Sequence, residues 1–214
     1  MVSAIFLIIL VIFPCLAAGE SANSGFCRSL DNDKFQAVYL SRMIEPDSKI
    51  KTVRDLVAHL RIRHRIPISF VEAKPEEPMK LKRKAMTLDN LLAETARQYS
   101  DYRCEIRGGR LIFRDGDTLF DAVISDVQLA DVYRFAALNR YIVHLKTYEQ
   151  FAEWQGSWVG GNLDSPLVDE KVILSPRAPL LDHLVQLLGQ LKTAYFTIPA
   201  PGELPRRIEI SEVQ

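Results

Sequence analysis

The sequence of 214 residues carries 27 basic and 27 acidic side chains, with 48% hydrophobic and 25% charged residues. These are the proportions of a globular chain and exclude collagen, coiled coil or disorder as readings of the whole. Zero formal net charge excludes a nucleic-acid binder working through bulk positive charge, and three cysteines are too few for a disulfide scaffold or a thiolate zinc site.

The chain opens on an apolar core, Ala4 to Phe13, followed by Pro14 and the small residues Ala17, Ala18 and Gly19. An apolar run of this length ending in small residues reads as a secretory signal peptide over 1–19. The run breaks at Pro14, short of the ~20 apolar residues a membrane span needs. Membrane contact is therefore expected only through an uncleaved leader. The Ser/Asn/Gly-rich stretch that follows reads as a linker over 20–33. Export to a periplasmic or secreted location puts Cys27 and Cys104 in an oxidising compartment, where a pair can bridge. The alternative is that Cys104 is simply buried in a strand while Cys27 sits in a flexible tail.

From residue 34 the sequence reads as two copies of one order of elements. The first module spans 34–116. Phe35 to Ser41 alternates as a strand, and Val53, Leu56, Val57 and Leu60 form one stripe of a helix capped by Thr52. Pro67 to Glu72 is a strand, and Met79 to Lys84 a short strand with one charged face. Thr87 opens a second helix that turns Leu88, Leu91, Leu92, Thr95 and Tyr99 inward. A hairpin then runs from Tyr102 to Ile106, turns at Gly108-Gly109 and returns through Leu111 to Arg114, the glycines supplying the positive φ of a tight turn.

The second module spans 117–214. Phe120 to Ser125 echoes the first strand, a helix runs from Leu129 to Leu138, and Tyr141 to Leu145 is the next strand. Lys171 to Leu174 is a further strand, Pro179 to Lys192 a helix, and Tyr195 to Ile198 with Arg207 to Ile210 the closing hairpin. An insertion at 147–170 sets the second module apart. The expected fold class is α+β, as two tandem β-α-β-β-α-β-β modules of two layers each.

The stretch Met86-Thr87-Leu88-Asp89-Asn90-Leu91-Leu92, then Tyr102 to Ile106 and Gly108-Gly109-Arg110-Leu111-Ile112, resembles the short N-terminal domain of bacterial secretins and TonB-dependent receptors. The likeness covers about 65 residues of the first module, and the second only by pattern. It implies a small two-layer periplasmic domain that docks on other proteins and carries no catalysis. The family's domain normally precedes a β-barrel or a secretin ring. The sequence ends at Gln214, so the expectation is a pair of such modules with neither barrel nor ring.

Candidate chemistry is sparse. His59 and His64 are five apart, about 500° around a helix, and so are not expected to share a face. His144 is read within a strand, and His183 follows Asp182 on a helix, too far around for that carboxylate to orient it. No nucleophile–base, zinc-protease or phosphate-loop motif occurs, and neither metal nor cofactor is expected. Arg61, Arg63, Arg65, Lys80, Lys82 and Lys84 form either a solvated, aggregation-blocking edge or a patch for anionic polymer. Tyr148, Phe151, Trp154 and Trp158 in the insertion are either a satellite core or partner-binding anchors. The reading that follows is a non-catalytic exported module that docks on envelope proteins through sheet edges and the Trp-containing insertion, with homodimer formation open. An envelope hydrolase with an unrecognised site, or a binder of anionic glycan through the basic edge, are the alternatives.

Overall fold

The computed structural model describes residues 25–29, 36–74, 77–82, 84–158, 170–202 and 206–213. The expected signal peptide and most of the expected linker lie outside them. Thirteen strands are described, beginning with β1 (Arg28–Ser29), β2 (Met43–Ile44), β3 (Ser69–Val71) and β4 (Met86–Thr87). They continue with β5 (Tyr102–Arg107), β6 (Arg110–Asp115), β7 (Val123–Ile124), β8 (Val132–Tyr133) and β9 (Gln155–Trp158). The last are β10 (Lys171–Val172), β11 (Ala178–Pro179), β12 (Ala194–Ile198) and β13 (Arg207–Glu212). The α-helices are α1 (Val53–His64), α2 (Leu88–Gln98), α3 (Arg134–Leu145) and α4 (Leu180–Leu187). The fold is α+β.

Local chemistry accounts for the helix ends. The Thr52 hydroxyl accepts from the Asp55 amide at 3.0 Å while the Asp55 carboxylate accepts from the Thr52 amide at 3.0 Å. This reciprocal box satisfies two otherwise orphaned donors, and α1 stops at Arg65, whose φ of 52° is left-handed. Thr87 caps α2 through its hydroxyl, which accepts from the Asn90 amide at 3.3 Å.

Seven strands form one mixed sheet in the order β1-β5-β6-β3-β12-β13-β9. The hairpin β5–β6 is antiparallel and β3 lies parallel on β6. The hairpin β12–β13 is likewise antiparallel, with β9 parallel on β13. Each half therefore contributes the same three-strand arrangement, and β3 joins them by pairing parallel with β12. Two small bridges recur as well: β2 pairs with β4 just before α2, and β7 with β11 just before α4.

Because neighbouring residues of a strand point to opposite faces, membership of the two cores shows where the helices lie. Phe70, Leu111 and Phe113 pack with Leu56, Leu60, Leu91 and Leu92 of α1 and α2. Val71 and Ile112, the adjacent residues, pack instead with Leu138, Tyr141, Leu181 and Leu184 of α3 and α4. The helices of the two halves thus cover opposite faces of one sheet. Strand sense agrees: β12 runs with β3, whereas its counterpart β5 runs against β6 and β3. A half-turn about an in-plane axis perpendicular to the strands produces both the reversed sense and the exchanged face.

Several expected elements are corrected. The Phe35–Ser41 strand is instead a π-helical turn over Gln36–Leu40, and its echo is a 3₁₀ turn, Thr118–Asp121, ahead of the short β7. Tyr141 to Leu145 is the end of α3, where Ala137, Leu138, Tyr141, Ile142 and Leu145 are buried at helical spacing. The strand after α3 is β9, inside the supposed insertion. Among its described residues, Met79 to Lys84 forms no strand. There the Lys80 amide donates to Gln98 Oε1 at 3.0 Å and its carbonyl accepts from Gln98 Nε2 at 2.7 Å, so a side chain of α2 stands where a strand partner would.

Candidate functional site

The two outer strands of the sheet differ in how they are closed. At one end β1 lies parallel on β5, with Arg28 opposite Glu105 and Ser29 opposite Ile106. It is fastened there by a disulfide between Cys27 and Cys104, both buried. The amides of Phe26 and Cys27 donate to the Asp89 carboxylate of α2 at 3.0 and 2.9 Å. A groove of about 520 Å³ runs beside this segment, lined by Phe26, Asp89, Asn90, Arg97 and Tyr102. Cysteine pairing of this kind belongs to oxidising compartments and fits an exported chain. Among the described residues no helix is long and apolar enough to cross a membrane.

At the other end lies β9. Among the described residues it pairs on one side only, with β13, in the register Gln155 to Arg207 through Trp158 to Ile210. The core-facing side of this end is filled by Phe196, Ile198, Ile208 and Ile210. Its opposite side carries Tyr195, Thr197, Glu209, Ser211 and Ser157, which strand alternation places together. Arg61 bounds that polar face. Its Nε and Nη2 donate to the Ile68 carbonyl at 3.0 and 2.7 Å, and its guanidinium stacks 3.8 Å from the Tyr195 ring centroid. Burial pulls the Arg61 guanidinium down to about 10, partly opposed by Tyr195 and Glu209.

Arg61 is therefore a strut between α1 and β12 and no part of a basic edge. The remaining members scatter: Arg63, Arg65, Lys80 and Lys84 are exposed, and Lys82 lies 3.9 Å from Glu94. Among the described residues the strand expected to align them as an edge does not form, and β3 sits mid-sheet. Sequence reading missed the cationic residues that matter structurally. Arg114 and Arg107 both bind Glu105, and both reach Asp121 of the second half, while Arg107 also pairs with Asp182 at 3.0 Å. Burial acts to raise the Glu105 carboxyl, yet the hydrogen bonds from Arg107 and Arg114 hold it below its usual value. Arg110 donates to four carbonyls, those of Leu188, Gly189, Leu191 and Ala194. Strand alternation is the trace these arginines leave in sequence, since each falls opposite the first core's apolar positions on β5 and β6.

The aromatic cluster is likewise internal. Phe151 and Trp154 are buried with ring centroids 5.1 Å apart, and Trp154 lies 6.3 Å from Phe120. Tyr148 packs on the same core, its hydroxyl accepting from the Ser125 amide at 3.0 Å and donating to the Ser125 carbonyl at 3.1 Å. Arg206 stacks over both Phe120 and Trp154. Three of the four supposed anchors thus serve the fold. Trp158 stands in β9, with its side chain outside the described residues.

The histidines divide into two kinds. His144 lies in α3, its Nε2 donating to the Ser125 carbonyl at 2.8 Å. His183 is fully buried. Its Nε2 donates to the Ser175 carbonyl at 2.8 Å and its Nδ1 accepts from the Tyr141 hydroxyl at 3.0 Å. As expected, Asp182 does not orient it. His59 and His64, by contrast, meet: their Nε2 atoms are 3.2 Å apart. The 500° count fixes only where each side chain leaves the helix, and the two rings close the remaining gap. Among the described residues no group of three or more His, Cys, Asp or Glu gathers as a metal site.

No family model, curated protein or solved structure matches this chain.

Proposed function

We propose that the chain is an exported, periplasmic, non-catalytic assembly module that docks on envelope proteins by continuing its sheet, with β9 as the docking strand. One observation carries the reading: the molecule's own halves are joined in this manner. The outer strand of the first three-strand unit, β3, pairs parallel with the hairpin strand β12. In the second unit β9 occupies the equivalent place on its own hairpin. An edge of this kind offers backbone donors and acceptors to an added strand, and flanking side chains supply selectivity. Ser157 and Glu209 on the polar face would supply it here. The histidines inside the fold, His144 and His183, are held in structural hydrogen bonds, which accords with a scaffold role.

The test is site-specific photo-crosslinking of the full-length chain in its native host. A photoreactive residue replaces Gln155 or Ser157 in β9, and Arg140 on the exposed side of α3 serves as control. An envelope protein captured at β9 and not at Arg140 is the expected result. Equal capture at both places, or none at β9, overturns edge docking. Capture of a second copy of the chain would make the partner the protein itself.

A further inference from the structure

We infer that His59 and His64 form a two-imidazole chelate for a divalent first-row transition ion, with Zn²⁺ as the reference cation. Two imidazole nitrogens bound at 2.0–2.1 Å with a tetrahedral angle between them lie about 3.3 Å apart. The His59 and His64 Nε2 atoms stand 3.2 Å apart before any ion is considered. Their ring centroids are 5.0 Å apart with planes inclined at 59°, so the rings converge through their nitrogens and do not stack.

The local fold fixes this arrangement. His64 is the last residue of α1 and His59 lies one turn earlier, in the penultimate turn, both half-buried. The left-handed Arg65 ends the helix directly behind His64, and the Arg42 guanidinium donates to the His64 carbonyl. Carbonyls at a helix C-terminus favour a nearby cation. Charges on the two sides oppose each other: the Asp47 carboxylate interacts with His59 and the Arg42 guanidinium with His64. Imidazole donors suit zinc, copper and nickel over magnesium or calcium. With two protein ligands the remaining positions fall to water, so the site is an exchangeable one. Of the other two histidines, His183 spends both ring nitrogens on Ser175 and Tyr141, and His144 commits Nε2 to the Ser125 carbonyl.

The experiment is calorimetric titration of Zn²⁺ into the full-length chain, prepared without a histidine tag. The expected result is one-to-one binding that weakens by more than about tenfold in either His59→Ala or His64→Ala and is unchanged in His144→Ala. Thermal unfolding of each variant checks that it is folded. His59→Gln and His64→Gln, which keep side-chain volume, replace the alanine variants if those fail to fold. Electron paramagnetic resonance with Cu²⁺ supplies a second readout, and two equatorial imidazole nitrogens, lost together in the double variant, are expected. No binding at millimolar Zn²⁺, or equal affinity in wild type and both single variants, overturns the site and leaves a hydrogen-bonded histidine pair.

Discussion

At the scale of single residues, polar side chains decide how the second core titrates. His183 is surrounded by apolar helix residues and spends both ring nitrogens internally, one on Ser175 and one on Tyr141. A second proton would cost the Tyr141 hydroxyl its acceptor and place a charge where water cannot reach it. Burial accordingly lowers His183 below its ordinary value of 6.5, the Ser175 and Asp182 contributions opposing it only in part. An imidazole whose proton affinity drops on folding is protonated first in the unfolded chain. Its contribution to stability is therefore present above the ordinary value and lost as pH falls below it. The urea midpoint is expected to fall between about pH 7.5 and about pH 5.5, and His183→Gln is expected to shrink that fall. A slope unchanged by the substitution would place the pH sensitivity elsewhere.

At the scale of elements, the attachment of β9 depends on how near α3 can come. A Cβ on Gly156 would lie 2.8 Å from Ile142 Cγ1 and 3.1 Å from Leu138 Cγ, both side chains of α3. Glycine lets the helix settle directly on the strand. Gly156→Ala must push the two apart, and overpacking of this sort costs about 1–3 kcal/mol. A fall of several degrees in the melting temperature is expected, together with loss of crosslinking through Ser157. An unchanged melting temperature would mean that α3 gives way without cost. The same element shows what sequence could and could not reveal. The caps at Thr52 and Thr87, the glycine turn at 108–109 and the amphipathic stripe of α1 were all readable, because each is written within one short segment. Tyr141 to Leu145 misled because a run of consecutive apolar residues at a helix end fits a strand as well as a helix. Gln155 to Trp158 held no alternation to announce β9, since a glycine needed for α3 interrupts it. The buried arginines at 110 and 114 escaped notice for a related reason. Arg110 binds carbonyls 78 to 84 residues away and Arg114 binds carboxylates across neighbouring turns, and charge alone reads as surface.

At the scale of the molecule, the two ends of the sheet are complementary, and β1 stands between them. The half-turn that relates the halves makes β9 the equivalent of β3 and makes β5 the equivalent of β12. Since β3 pairs parallel with β12, the outer edge of β5 in one copy suits β9 of another, and repetition would extend head to tail without closing. That edge of β5 is taken by β1, which lies on it in the same parallel sense. A two-residue strand is a weak cover by itself. Its hold comes from the Cys27–Cys104 link and from Asp89, and covering an edge is a recognised defence against such association. The link spans 77 residues, a loop whose closure contributes about 4 kcal/mol on the chain-entropy account. Replacing both cysteines, Cys27→Ser with Cys104→Ser, is therefore expected to lower the melting temperature and to let β1 leave β5. Sedimentation analysis should then show concentration-dependent association of a chain that remains folded by circular dichroism. Adding Ser157→Lys, which sets a charge on β9, should reverse that association if it runs edge to edge, whereas aggregation of unfolded chains would ignore it. A folded double-serine variant that stays monomeric at all concentrations would show that β1 is not what keeps the two ends apart.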